Sequence, residues 1–342
     1  MNGQRFDVTA VGNAIVDVLA PADDALLVEH GLRKGAMSLI DAATAERLYR
    51  VMGPGREMSG GSAANTVAGI AALGGSAAYI GKVADDQLGD VFTHDIRAIG
   101  VAYDTPPLTE GLSTARCLIF VTPDAHRTMQ TFLGATTQLG PEDVNMDYIE
   151  SSRLVYLEGY LWDQPRAKKA MRDAALRAQA SGVQVSLTLS DAFCVDRFRA
   201  EFLDLVEHHV DVLFANEAEI LSLYQVATFE EALERVRPHC RVAALTRSEK
   251  GSVVVSGDEV HAIPAVPGVS VVDTTGAGDA NAAGFLYAYT RGFDLAACGR
   301  LGGAMAAEVI GHYGARAEGD VKALAAEVLT GRTTRAGSIP SA

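Results

Sequence analysis

Apolar and polar positions along the 342-residue chain repeat with two periods. Short apolar runs bounded by glycine or polar residues read as buried strands, and longer runs with apolar positions three and four apart read as helices. By this rule residues 6–11 form a first strand, 42–52 a helix, 79–83 a strand and 86–99 a helix. From residue 150 the alternation is regular. Strands at 154–157, 183–189, 210–214 and 242–245 are separated by helices, one at 165–179 with a stop at Gly182 and one running through Val206. Strands that alternate with helices predict an α/β fold, a doubly wound and mainly parallel sheet with helices on both faces.

Two segments break the rhythm. Residues 104–132 alternate as two strands around a polar turn at 123–126, the pattern of a hairpin. Residues 19–39 fit no clean helix. Together, about 18–40 and 104–132 are expected to build a small β-sheet lid on a single α/β domain spanning 1–330. The small polar stretch 331–342 is expected to be a disordered tail.

The pattern also marks one stretch as chemically unusual. Residues 273–284 read Asp-Thr-Thr-Gly-Ala-Gly-Asp-Ala-Asn-Ala-Ala-Gly. An apolar run at 268–272 precedes them and an almost wholly apolar helix follows, so they are expected to be a strand end, a tight turn and a helix start. Unpaired amides at a helix N-terminus, with glycines that let a ligand approach, make an anion hole at Gly276, Ala277 and Gly278. Asp279 lies in the same turn. A carboxylate would repel a merely bound anion, but it suits a base that takes a proton from a hydroxyl while the amides hold a transferring phosphoryl group. The stretch matches neither a dinucleotide fingerprint nor a Walker loop.

Charge narrows the partners. The net charge is −14 at pH 7 and no basic cluster stands out, which argues against nucleic acid and anionic membrane. No apolar run approaches a membrane span, and no leader is expected before the first strand. Four scattered cysteines (Cys117, Cys194, Cys240, Cys298) give no disulfide framework or zinc motif, so a cytoplasmic setting is expected. In a parallel sheet ligands bind beyond the carboxyl ends of the strands, where Asn13, Asp17, Asn216, Glu219, Thr246, Asp273 and Asp279 all fall. Asn216 and Glu219 could hold Mg²⁺ through waters, Thr246 could bond a phosphate, and Arg127 could close over the substrate.

These pieces resemble the ribokinase-like (PfkB) family of carbohydrate and nucleoside kinases. The segment Gly60-Gly61-Ser62-Ala-Ala-Asn65 is similar to its first signature and Asp273-Thr-Thr-Gly-Ala-Gly-Asp279 to its second. Asn216-x-x-Glu219 is similar to its magnesium motif, and the match runs from about residue 6 to 330. Within the family, Gly12-Asn13-Ala-Ile-Val-Asp17 and Asp124-Ala-His-Arg127 resemble the opening and lid motifs of the adenosine kinases. The resemblance implies an ATP-dependent kinase acting on the 5′-hydroxyl of adenosine or a close nucleoside, with a kinase of ribose or a ketose as the alternative. It implies Asp279 as general base and Arg127 as a phosphate-binding cation. Asn13, Asp17, Gly60, Gly61, Ser62 and Asn65 would meet the ribose. Met37, Cys117, Met129, Leu133 and Leu161 would line the nucleoside pocket. Asn216, Thr246, Ser248, Gly251 and Gly278 would meet ATP, with Mg²⁺ at Glu219 and Asn216 and K⁺ at Asp273. Two residues depart from the family: Ser248 replaces a glycine of the nucleotide loop, and Asn281 a large apolar residue. Members act as monomers or homodimers on small molecules.

Overall fold

Successive residues of a strand point to opposite sides, and in the central strands of this chain both sides are apolar. Leu154 and Tyr156 of strand Ser152–Glu158 enter one core, and Val155 and Leu157 the other. Val212 and Phe214 are divided from Leu213 and Ala215 in the same way. A strand buried on both faces needs helices on both. Ser62–Ala72, Ala277–Tyr289 and Leu295–Val309 cover one core, and Pro165–Ala180 and Ala192–His208 the other.

The computed structural model of the chain describes residues 5–124 and 126–330. The large sheet has nine strands in the order Glu259–Ile263, Ser252–Ser256, Val242–Thr246, Val212–Asn216, Gln184–Thr188, Ser152–Glu158, Phe6–Val11, Ala77–Ile80, Ala102–Tyr103. All neighbours pair in parallel except at one edge, where Ser252–Ser256 runs antiparallel to both Val242–Thr246 and Glu259–Ile263. Among the described residues no helix is long and apolar enough to cross a membrane.

A second sheet of five strands runs in the order Met37–Leu39, Arg127–Phe132, Ala115–Val121, Ile15–Pro21, Arg56–Gly60. Val16, Val18, Leu118 and Phe120 on one of its faces join Leu27 and Leu48 in the first core. Asp17 and Cys117 are paired in register, as are Met37 and Met129, and Arg127 keeps the same parity along its strand. All five therefore share the opposite face.

Three local expectations change. Residues 56–60, unassigned in the sequence reading, form an edge strand, because they pair with 15–19 along their whole length. The apolar run 268–272 is not a strand: Val271 is 60% exposed, and the run is held by one bond from Val272 to the Ile310 carbonyl. Segment 18–40 contains a short helix, Asp24–Glu29, whose N-terminus is capped by Asp23. The stretch 331–342, expected to be a disordered tail, lies outside the described residues, as does Ala125 of the hairpin turn.

Candidate active site

Helix Ala277–Tyr289 starts at Gly276, which is left-handed with φ 77°. A Cβ there would lie 2.6 Å from the Ala315 Cα, so both conformation and space demand glycine. The three residues expected to form the anion hole behave differently. Gly276 shapes the turn. Ala277 turns its amide inward, to the Thr274 carbonyl at 3.2 Å, and so leaves the hole. The amides of Gly278 and Asp279 meet no acceptor among the described residues, and a Cβ on Gly278 would meet open space. The amide of Gly276 likewise meets no acceptor among the described residues.

Asp279 is held from the N-terminus of helix Ser62–Ala72. Its Oδ1 accepts from the Ser62 hydroxyl at 2.6 Å and its Oδ2 from the Asn65 amide at 3.2 Å. Burial pushes its pKa up to about 6, although both hydrogen bonds pull it down. Gly61 caps that helix at φ 98°, and a Cβ on it would strike the Asn13 carbonyl at 2.1 Å. The two helix starts meet because small residues let them.

Asn13 faces inward. Its side chain donates to Glu158 Oε1 at 2.6 Å and its backbone amide to Oε2 at 3.3 Å, while the Ala63 amide reaches Oε2 at 2.9 Å. Glu158 is 1% exposed, and burial pushes its pKa up to about 7. Asn13 thus reaches the site as part of a buried clasp and not as a free ligand. Asp17 is half-buried beside Gly60, where a Cβ would sit 2.5 Å from its Oδ2. Desolvation raises the Asp17 pKa to about 6 against the pull of Arg316 and Arg127.

On the same face of the small sheet, Met37 is 47% exposed, Met129 half-buried and Cys117 buried, with Thr131 donating to its sulfur at 3.3 Å. Leu133 is half-buried just beyond the strand. Leu161 is a correction. It is 1% exposed and belongs to the core under helix Pro165–Ala180, so it cannot present a wall to a ligand. Arg127 is buried at the rim of this sheet. One terminal nitrogen bonds both Asp273 and the Thr275 hydroxyl, the latter at 3.0 Å. Asp273 also accepts from the Thr275 amide and hydroxyl and from the Gly314 amide at 3.1 Å. A carboxylate has about four lone-pair positions, so Asp273 is committed within the protein, against its expected place as a potassium ligand.

At the far end of the large sheet, Asn216 and Thr246 are register partners at their strand ends. Asn216 and Glu219 form a reciprocal capping box, with bonds of 2.9, 2.6 and 2.9 Å. Each Glu219 oxygen accepts one bond here and keeps a lone pair. That donor set suits hydrogen bonds from metal-bound waters, not direct coordination. Ser248 is left-handed at φ 51°, a conformation that glycine adopts without strain. Gly251, at φ 85°, closes the same turn, and a Cβ on it would lie 2.1 Å from the Ile263 carbonyl. Asn281 is buried against Gly302 of the neighbouring helix, where a large apolar side chain would meet backbone.

Two participants escaped the sequence reading. Glu158 ends an apolar strand just before a glycine, a charged residue at the edge of an apolar run. Arg316 donates to Asn65, Asp95 and Ser59. It lies in an irregular stretch with no pattern to mark it.

The arrangement brings a partly ionisable carboxylate, two free helix amides and a largely apolar face of the small sheet that carries Asp17 to one place. Comparison with known proteins shows the family. The pfkB family carbohydrate kinase pattern matches residues 51–321. The crystal structure of adenosine kinase from Sinorhizobium meliloti is 54% identical, with a TM-score of 0.86, covering 94% of this chain and 99% of that one. A probable sugar kinase protein from Rhizobium etli CFN 42 is 53% identical, with a TM-score of 0.87, covering 95% and 98%. An ATP-dependent ribose-1-phosphate kinase from Halopiger xanaduensis is 31% identical over 79% of this chain and 86% of its own length.

Proposed function

The chain belongs to the pfkB family of carbohydrate kinases, and from that premise we propose that it transfers the γ-phosphoryl group of ATP to the 5′-hydroxyl of adenosine or a close nucleoside. The observation that carries this reading is Asp279, oriented by Ser62 and Asn65 beside the free amides of Gly278 and its own residue. Asp279 takes the hydroxyl proton as the oxygen–phosphorus bond forms and the bond to ADP breaks. The helix amides hold the charge that gathers on the phosphoryl oxygens.

Asp17 is the ribose ligand, and Gly60 and Gly61 leave room for the sugar. The nucleobase lies against Met37, Cys117 and Met129, an apolar surface of the kind a flat ring needs. The small sheet acts as a lid on one kinase domain. Thr246, Ser248 and Gly251 receive ATP beside Asn216. Asn216 and Glu219 would hold Mg²⁺ through waters, and the ion would supply charge neutralisation on the phosphates. Arg127 stands next to the anion-hole loop, from which its charge acts on the phosphoryl group. The four cysteines are free and buried, which suits a reducing cytoplasm.

The test is ADP release with Mg²⁺-ATP against adenosine, inosine, guanosine, cytidine, ribose, fructose and fructose 6-phosphate. Strong turnover on adenosine is the expected outcome. Turnover on a free sugar and on no nucleoside would keep Asp279 and the helix amides and sink the nucleobase surface. The kinship with a probable sugar kinase makes that the second reading.

A further inference from the structure

We propose that Arg316 is a positioning residue for the phosphoryl transfer, because its guanidinium fixes which end of the Asn65 amide faces Asp279. The inference rests on the reading of Asp279 as the base. Arg316 lies between helices Leu295–Val309 and Val321–Thr330. It is clamped on three sides: Nη2 donates to the Ser59 hydroxyl at 2.7 Å, Nη1 to Asp95 Oδ2 at 3.2 Å and Nε to Asn65 Oδ1 at 3.3 Å. Asp95 is itself anchored by the Ser59 amide at 2.8 Å and hydroxyl at 2.5 Å. The guanidinium cannot swing away without breaking this set.

A guanidinium has donors and no acceptor, and an ionised carboxylate has acceptors and no donor. Asn65 stands between one of each. Its oxygen must therefore face Arg316 and its NH₂ must face Asp279 Oδ2, which is the arrangement seen. The reversed amide would set oxygen against carboxylate and NH₂ against guanidinium. Arg316 thus selects the orientation in which Asn65 donates to Asp279.

The groups facing Asp279 show why this bond matters. Ser62 and Asn65 reach it from helix Ser62–Ala72, and both favour its ionised form. Asp17 from strand Ile15–Pro21, Tyr156 and Glu158 from strand Ser152–Glu158, and Tyr160 just beyond are acidic groups whose proton affinity its charge raises. Arg316 and Arg127 act on Asp17 in the opposite sense. Loss of the Asn65 bond leaves only Ser62 to oppose protonation of Asp279.

Arg316→Met, Arg316→Lys, Asn65→Leu and the double variant Asn65→Leu/Arg316→Met test the proposal with two readouts. One is the pH dependence of kcat with whichever substrate the panel identifies. The other is carboxyl ¹³C NMR titration of Asp279 in the substrate-free protein, assigned with Asp279→Asn. Arg316→Met is expected to lower kcat by roughly tenfold or more. It should also move both the acid limb and the Asp279 titration to higher pH. Arg316→Lys keeps a charged donor and should recover part of both. In the Asn65→Leu background Arg316→Met should add nothing, because both changes remove one interaction. Should Arg316→Met not fold, Arg316→Gln, which removes the charge at similar size, takes its place against Arg316→Lys. The proposal is overturned if Asp279 titrates at the wild-type pH in these variants, or if the losses add independently. If the wild-type protein turns over nothing in the panel, the proposed function fails, while the titration still decides the role of Arg316.

Discussion

Asp279, the proposed base, is a buried carboxylate whose ionised form works against stability. Its pKa is about 6 in the folded protein against an ordinary 3.8, with burial as the largest cause. Folding therefore raises its proton affinity. The favourable contribution of this group is complete below pH 3.8 and is lost as pH rises through about 6. At pH 8 the ionised side chain opposes folding, so Asp279→Asn should raise stability there by about 1–2 kcal/mol, allowing for partial solvent access. Denaturant melts at pH 8 and pH 4 check this, and the gain should shrink at the lower pH. The same variant should lose about 10²–10⁴-fold in kcat. Wild-type kcat should fall as pH drops below about 6, where the base becomes protonated. A variant that keeps more than a few per cent of turnover would refute the role. Asp279 was legible because a carboxylate beside an anion hole is electrostatically odd. Glu158 was as odd, at the end of an apolar strand, yet its partners are 145 and 95 residues away in Asn13 and Ala63. Such a clasp exists only once the sheet has formed.

The two glycines at the start of helix Ala277–Tyr289 separate a structural demand from a chemical one. Gly276→Ala forces a Cβ into a left-handed residue, a strain of about 1–2 kcal/mol, and against Ala315 at 2.6 Å. It should lower the melting temperature by several degrees. Gly278→Ala meets nothing within 4 Å and places a better helix former in the first turn, so stability should hold or rise by up to about 1 kcal/mol. Its methyl group stands beside the free amides, so kcat should fall all the same. Thermal melts and kinetics on the pair check both halves, and equal stability loss in the two would show that the turn is misjudged. Elements buried on both sides, such as Ser152–Glu158, were readable because their apolar runs are continuous. Strand Arg56–Gly60 was not, because its sequence Arg-Glu-Met-Ser-Gly carries no β pattern and its pairing comes wholly from Ile15–Leu19. The valines of 268–272 misled for the opposite reason: β-branched composition without a partner strand makes no strand.

Across the whole molecule, the small sheet is joined to the C-terminal half by charged groups and not by apolar packing alone. Arg127, at the start of its strand, pairs with Asp273 of the anion-hole loop, and both side chains are 7% exposed. Sequence reading placed Arg127 on a lid and Asp273 beside the hole. It could not show that the two meet, since 146 residues separate them. A buried pair of this kind contributes little net stability, but removing one partner strands the other charge without water. Arg127→Met should therefore destabilise the protein by about 3–5 kcal/mol. Arg127→Met/Asp273→Asn should recover much of that loss, because the remaining amide is neutral and its oxygen still accepts from Thr275, although its NH₂ cannot accept from the Gly314 amide. Urea melts of both variants measure the coupling. Native-state hydrogen exchange locates it: in the single variant, strands Arg127–Phe132 and Ala115–Val121 should lose protection while Ser152–Glu158 keeps its own. If the double variant is no more stable than the single, the pair is not the clasp between the two sheets, and cohesion there falls to Arg316 and to the bonds from Ser62 and Asn65 to Asp279.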